Sequence, residues 1–265
     1  MLARLELSAT ASPQNALAAT LLSSHFSEEV VRSRTSEIHE LVLAHSRYIN
    51  QPNFTAIHPR DLEFLFASYD DRFFSNLCRS TLNNRKLTFR LSPRMTKVGG
   101  TTARVRARNG EESFEIAIAV DILFKGFAPG DRPITVCGLE CGDRIQALQR
   151  IFEHEMVHLV EWLCWAHSNC SAARFQDIAR RFFLHRAHTH NLITFRERAA
   201  NSGFRVGSRV TFTYEGKVVT GRVNRITKRA TVLVEHPEGT LYSDGLRYKT
   251  YYVPIASLNP ASTEV

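Results

Sequence analysis

Five consecutive residues, His154-Glu155-Met156-Val157-His158, carry the densest chemical signal in the chain. On a helix, residues four apart lie one turn up the same face, so both imidazoles can point at one metal ion. Glu155 is turned about 100° from His154, close enough to take a proton from a metal-held water without being a ligand. Zinc suits this set, because it accepts imidazole nitrogen and lowers the pKa of a bound water to about 7. A catalytic zinc also needs a third protein donor and an open position. Glu161 shares the helix face, but it lies about 10 Å along the axis from His154 at 1.5 Å per residue. It therefore reads as a hydrogen-bond partner of a ligand imidazole. The third donor must come from the returning chain. Cys170 ranks first, since it adjoins the start of the next helix, where the helix dipole favours a thiolate. His167 ranks second. His185, His188 and His190 follow that helix, about 20 Å from its start, and are out of reach unless the chain doubles back.

The elements that must position these groups are legible as patterns. Asp143 is placed to cap a long helix carrying Ile145, Leu148, Phe152, Leu159 and Leu163 on its inward face. After a break at residues 167–170, a second helix over 172–184 turns Phe175, Ile178, Ala179 and Phe182 inward. Upstream, Ile38, Leu41, Val42, His45 and Ile49 recur at helical spacing behind Thr35 and Ser36 as cap candidates. Pro59 and Asp61 open another helix with Leu62, Leu65, Phe66 and Tyr69 on one face. Residues 86–91 (KLTFRL) and 114–120 (FEIAIAV) alternate as strands, with Gly99-Gly100 and Asn109-Gly110 as turn signals between them. Residues 1–35, rich in Ala, Ser, Thr and Leu without clear periodicity, are expected to be a mobile leader. From Gly203 the texture changes to four short β-type runs, 206–213, 217–224, 230–235 and 248–253. These predict a small β-barrel of SH3-like size over 203–258, after a linker near 199–202.

Composition narrows the classes. The 265 residues are 43% hydrophobic and 23% charged, which excludes collagen-like and wholly disordered chains. No run of 18 apolar residues predicts a membrane span, and no compact apolar segment follows a basic start, so a cytoplasmic protein is expected. The five cysteines (Cys78, Cys137, Cys141, Cys164, Cys170) then read as reduced thiols. Cys137 and Cys141 are four apart with no second pair to complete a metal site, which favours packing or a turn. Lys and Arg outnumber Asp and Glu by 34 to 26, giving a formal charge of +8. Residues 203–258 hold nine of the cations and four of the anions, so +5 of the excess sits there. The densest run is 222–229 (RVNRITKR), with Arg222, Arg225, Lys228 and Arg229. Tyr242, Tyr248, Tyr251 and Tyr252 add stacking surfaces, a combination suited to salt-sensitive binding of nucleic acid.

Residues 65–74 (LFASYDDRFF), 90–102 (RLSPRMTKVGGTT), 114–120 (FEIAIAV) and 152–162 (FEHEMVHLVEW) together resemble the SprT-like, or Spartan-type, zinc metalloprotease domain. The likeness runs from about Asp61 to about Leu184. The resemblance implies an α+β fold, a minimal zincin-like domain over 36–198 with its HExxH motif on a long helix. It also implies Zn²⁺ as cofactor, a protein substrate attached to DNA, and Glu155 as general base. In that family a third histidine commonly stands four residues before an aromatic. Here the aromatic matches Phe175, Ser171 takes the histidine's place, and Cys170 lies beside it. Either Cys170 substitutes as ligand or the site is altered. The altered case would leave a catalytically silent binding module with a structural zinc; a zinc hydrolase of another substrate class is a third reading.

Overall fold

Side-chain caps set where the helices begin. In the computed structural model, which describes residues 12–261, Ser12 caps α1 (Pro13–Ser23) and Ser27 caps α2 (Glu28–His45). Ser27 accepts from the Val30 amide, and Glu28 and Glu29 in the first turn complement the helix dipole. The expected leader is thus corrected over residues 12–35. Leu17 and Leu21 of α1 and Val31 of α2 are buried, and Thr35 lies inside α2 rather than capping it. The remainder of the expected leader, residues 1–11, lies outside the described residues.

A capping box formed by His58 and Asp61, with Pro59 in the first turn, opens α3 (Pro59–Phe74). α4 (Leu77–Leu82) follows, then β1 (Lys86–Leu91), β2 (Gly100–Arg106) and β3 (Glu112–Ile118). These strands form one sheet in the order β1-β3-β2, with β1 parallel and β2 antiparallel to the central β3. The chain continues through α5 (Val120–Lys125), a hairpin of β4 (Ile134–Val136) and β5 (Leu139–Cys141), α6 (Arg144–Trp165) and α7 (Ala173–Phe183). Cys137 and Gly138 both have positive φ, the backbone a two-residue hairpin turn requires. That is the role the Cys137–Cys141 segment takes, and Cys141 donates its thiol to the Leu139 carbonyl.

α6 is the axis of this unit. Asp143 accepts from the Gln146 amide at its start, and Ala166 ends it in the left-handed region. Its inward face carries Leu148, Phe152, Leu159 and Val160, all fully buried. Tyr69, Phe73 and Phe74 of α3 and Phe182 and Phe183 of α7 join this core, with Phe74 and Phe182 stacked at 5.3 Å.

The chain divides into two compact units after Leu192, earlier than the linker expected at 199–202. α8 (Phe195–Asn201) therefore belongs to the second unit, where Ala199 enters the core. There β6 (Arg209–Tyr214), β7 (Lys217–Ile226), β8 (Ala230–Leu241), β9 (Arg247–Val253) and β10 (Asn259–Pro260) pair antiparallel in the order β10-β6-β7-β8-β9. All four expected strands form. The expected closed barrel does not: among the described residues no pairing joins β9 to β10, and the sheet stays open. One face buries Val210, Phe212, Val223, Ile226, Val232 and Val253. Among the described residues no helix is long and apolar enough to cross a membrane.

Candidate metal centre

Midway along α6, His154 and His158 bring their Nε2 atoms to 3.2 Å of each other. Two zinc–nitrogen bonds of about 2.0–2.1 Å at a tetrahedral angle require about 3.3 Å between donors, so the spacing fits. Cys170, in the turn between α6 and α7, completes the group: its Sγ and the two imidazole donors all lie within 4.8 Å of one another. His167, the second-ranked donor, stands outside that group; it is exposed, and its carbonyl accepts from Arg174.

Hydrogen bonds fix which nitrogen of each ring is free to bind. Ser168 Oγ donates to Glu161 Oε2 at 2.7 Å, because a carboxylate can only accept. The 2.7 Å contact between Ser168 Oγ and His158 Nδ1 must then run from the ring N–H to the hydroxyl, leaving Nε2 with its lone pair. Glu161 is itself fully buried and held by Arg174 at 2.6 Å. It thus supports the His158 ring through Ser168 rather than directly. On His154 the equivalent partner is Cys137, whose Sγ lies 3.9 Å from Nδ1 and 3.7 Å from the Arg150 carbonyl. Burial pushes the Cys137 thiol well up, so its S–H points to Arg150 and its sulfur receives the ring N–H. Phe175 lies against both imidazoles, with ring centroids at 4.9 and 4.6 Å.

Burial governs protonation here. It lowers His154 to about 3, with the neighbouring histidines adding to the shift, and His158 to about 4 against the opposing pull of Glu161. Both rings are neutral at pH 7, the form that ligates a metal. Glu155 is nearly fully buried, and burial pushes its carboxyl up to about 8. Thr102 of β2 donates to Glu155 Oε2 at 2.8 Å and to the Glu155 carbonyl at 3.0 Å. Oε1 faces Gly100 instead. A Cβ there would sit 2.8 Å from Oε1 and 3.0 Å from Ile151, so only glycine lets β2 lie this close to α6.

A cleft of about 500 Å³ opens over this group, bounded by Gly99, Thr102, Cys137, Ile151, His188 and His190. The last two histidines arrive because the chain does double back. Arg186 and Ala187 donate to the Cys137 carbonyl, Cys137 donates to Thr189, and Asn191 donates to Thr135. Their expected distance from the site is corrected accordingly, although the donor group itself remains His154, His158 and Cys170. His185 goes elsewhere, bonding Glu153 at 2.9 Å in a buried network with Tyr69 and Arg150.

The expected nucleic-acid residues all lie in the second unit. Arg222 and Arg225 are exposed on β7, and Lys228 and Arg229 are exposed in the turn to β8. Tyr252 is exposed on β9, whereas Tyr251 turns to Phe212 and Tyr214 beside the core.

The Ser168 relay has a measurable consequence. Ser168→Ala removes the acceptor that sets the His158 tautomer, and the expected result is a loss of about 10- to 100-fold in zinc affinity by chelator competition. Unchanged affinity would mean that Ser168 does not orient the ring.

Comparison of the chain with protein-family models, curated proteins and solved structures gives no match.

Proposed function

We propose that the chain is a zinc-dependent metallopeptidase of SprT-like type, with a zincin-like first unit that hydrolyses peptide bonds using a metal-activated water. The observation that carries this reading is the donor group of two imidazole nitrogens and one thiol with Glu155 directly beside it. A structural zinc is held by four protein donors, while a catalytic one is held by three and keeps a position open. The group here has three among the described residues, beneath an open cleft, which supports catalysis over the silent-module reading.

Zinc, when bound, would act as a Lewis acid and make a water nucleophilic at neutral pH. The chain's own groups do the rest. His154 and His158 bind through Nε2, held in that tautomer by Cys137 and by Ser168. Glu155, steadied at Oε2 by Thr102, presents Oε1 to take the water's proton and return it to the leaving amine nitrogen. Phe175 and Ile151 keep bulk water from the rings. The five free thiols suit the reducing cytoplasm.

The test is zinc content together with cleavage of denatured casein. Stoichiometric zinc, cleavage abolished by chelation and restored by zinc, and loss of the metal in Cys170→Ala are expected. Bound zinc with no cleavage of casein or of the chain itself, with and without DNA, would favour the silent module. Metal retained in full by Cys170→Ala would remove that residue from the ligand set.

A further inference from the structure

The second unit carries a polar sheet face that the metal site does not use. Its composition follows from the strand register. Arg209 of β6 pairs directly with Arg222 of β7, and that row continues through Leu233 of β8 to Thr250 of β9. The next row joins Arg225, Thr231 and Tyr252. Arg222 and Arg225 are three apart, which on a regular strand would put them on opposite faces. The register shift between Val223 and Arg225 absorbs Asn224 and returns Arg225 to the side of Arg222. The core confirms the phase: Val223 and Ile226, three apart across the same bulge, are both buried on the other face.

Three guanidinium groups, one from β6 and two from β7, therefore share one face of adjacent strands spaced about 4.8 Å apart. Like charges placed directly opposite across a ladder destabilise it. No ion pair to a carboxylate relieves Arg209, Arg222 or Arg225 among the described residues. Tyr252 projects from the same face, 68% exposed, in the row of Arg225. Tyr248 lies on this face too, paired with Glu235 at its border, and feels the charge of Arg222. Cations alone would suit any polyanion. An exposed aromatic ring among them suits one whose unpaired bases can stack, which a duplex does not offer.

We propose that this face binds single-stranded nucleic acid, with Arg209, Arg222 and Arg225 on the phosphates and Tyr252 stacked on a base. The proposal stands apart from the peptidase reading, since binding is read without zinc or turnover.

The experiment is fluorescence anisotropy of a labelled oligodeoxythymidine with the full chain in chelator, titrated with salt. A duplex of equal length and poly-glutamate serve as competitors. Single-strand binding that weakens with salt and resists both competitors is expected. Tyr252→Ala should weaken it by about 5- to 150-fold, the range of one base stack. Replacing Arg209 and Arg222 together by Ala should lower the log–log salt slope by about 1.4, for two phosphate contacts on a single strand. Lys217→Ala, at the hairpin end of β7, should change the affinity by less than about twofold. Thermal melts of each variant show that the sheet is intact. Equal binding of duplex with no effect of Tyr252→Ala would overturn the single-strand assignment. Absence of salt-sensitive binding by the intact chain would overturn the proposal outright.

Discussion

Glu155→Gln is expected to keep zinc bound and to lower peptide hydrolysis by about 10²- to 10⁴-fold, the range a positioned general base contributes. Both parts follow from geometry. Glu155 is not among the three clustered donors, so its loss removes no ligand. The amide oxygen of Gln can still accept from Thr102, which also bonds the backbone carbonyl at this position, so the helix and β2 stay in register. What Gln cannot do is accept a proton from the attacking water. The pH profile should carry the same signature. Burial raises the Glu155 carboxyl to about 8, so its basic form gains population as pH rises. A divalent cation beside it stabilises the carboxylate, which places the acid limb of kcat/KM for the zinc-loaded wild type below pH 8. Zinc analysis and casein cleavage on matched samples decide the matter. Loss of zinc, or a rate near wild type, would remove Glu155 from the role of base.

The site was legible in the sequence where the chemistry repeats at helical spacing and illegible where it depends on the return of the chain. His154, Glu155 and His158 are fixed by one helix, and the Asp143 cap and apolar face of α6 announce that helix. β2 is the instructive failure. Its polar Thr102 and Arg104 point inward and its apolar Ala103 and Val105 point outward, with Val105 half exposed. A search for alternating hydrophobicity therefore reads the strand inside out, and Thr102, the residue that holds the Glu155 carboxylate, goes unseen. Ser168 is missed for a related reason: a lone serine in a break carries no periodic signal, and its role exists only once Glu161 and His158 are seen on either side. His188 and His190 read as distant from the sequence because helical spacing alone projects the chain straight onward. Instead Leu184 ends α7 in the left-handed region, and the following residues pair back onto the β4–β5 turn. Likewise α1 has almost no amphipathic pattern, yet Leu17 and Leu21 are fully buried and Arg181 donates to the Leu21 carbonyl at its end, two apolar contacts being too few to register as a period.

Glu153, next to the candidate ligand His154 but on the core side of α6, should control stability as sharply as the proposed mechanism makes Glu155 control turnover. Its fully buried carboxylate accepts from Tyr69 at 2.7 Å, from Arg150 at 2.9 Å on both oxygens and from His185 at 2.9 Å. Burial alone would raise its pKa, but Arg150 and His185 hold it below the usual carboxylate value. Glu153→Ala leaves the Arg150 charge without its partner and Tyr69 and His185 without an acceptor. Breaking a buried pair in this way costs about 3–5 kcal/mol, a fall in Tm on the order of 10 °C for a unit of this size. The pH dependence has a definite sign. A carboxylate held below 4.5 stabilises the fold above that value and loses its contribution as pH falls through the folded value. Burial lowers His185 below 6.5, so the unfolded chain takes up a proton there that the fold refuses, and this too costs stability on acidification. Glu155, raised by burial, works in the opposite sense, but His154 and His158 are held low as His185 is, and the three imidazoles outweigh the one carboxyl. Stability should therefore decline as pH falls below about 6.5 in the wild type, and below pH 4.5 the decline should be shallower in Glu153→Ala. Thermal melts from pH 7 to 4 in chelator read both effects without interference from bound metal. A variant melting within a degree or two of wild type would show that Arg150 and Tyr69 find other partners. The network would then not be what holds α6, and with it His154, against α3 and the returning chain.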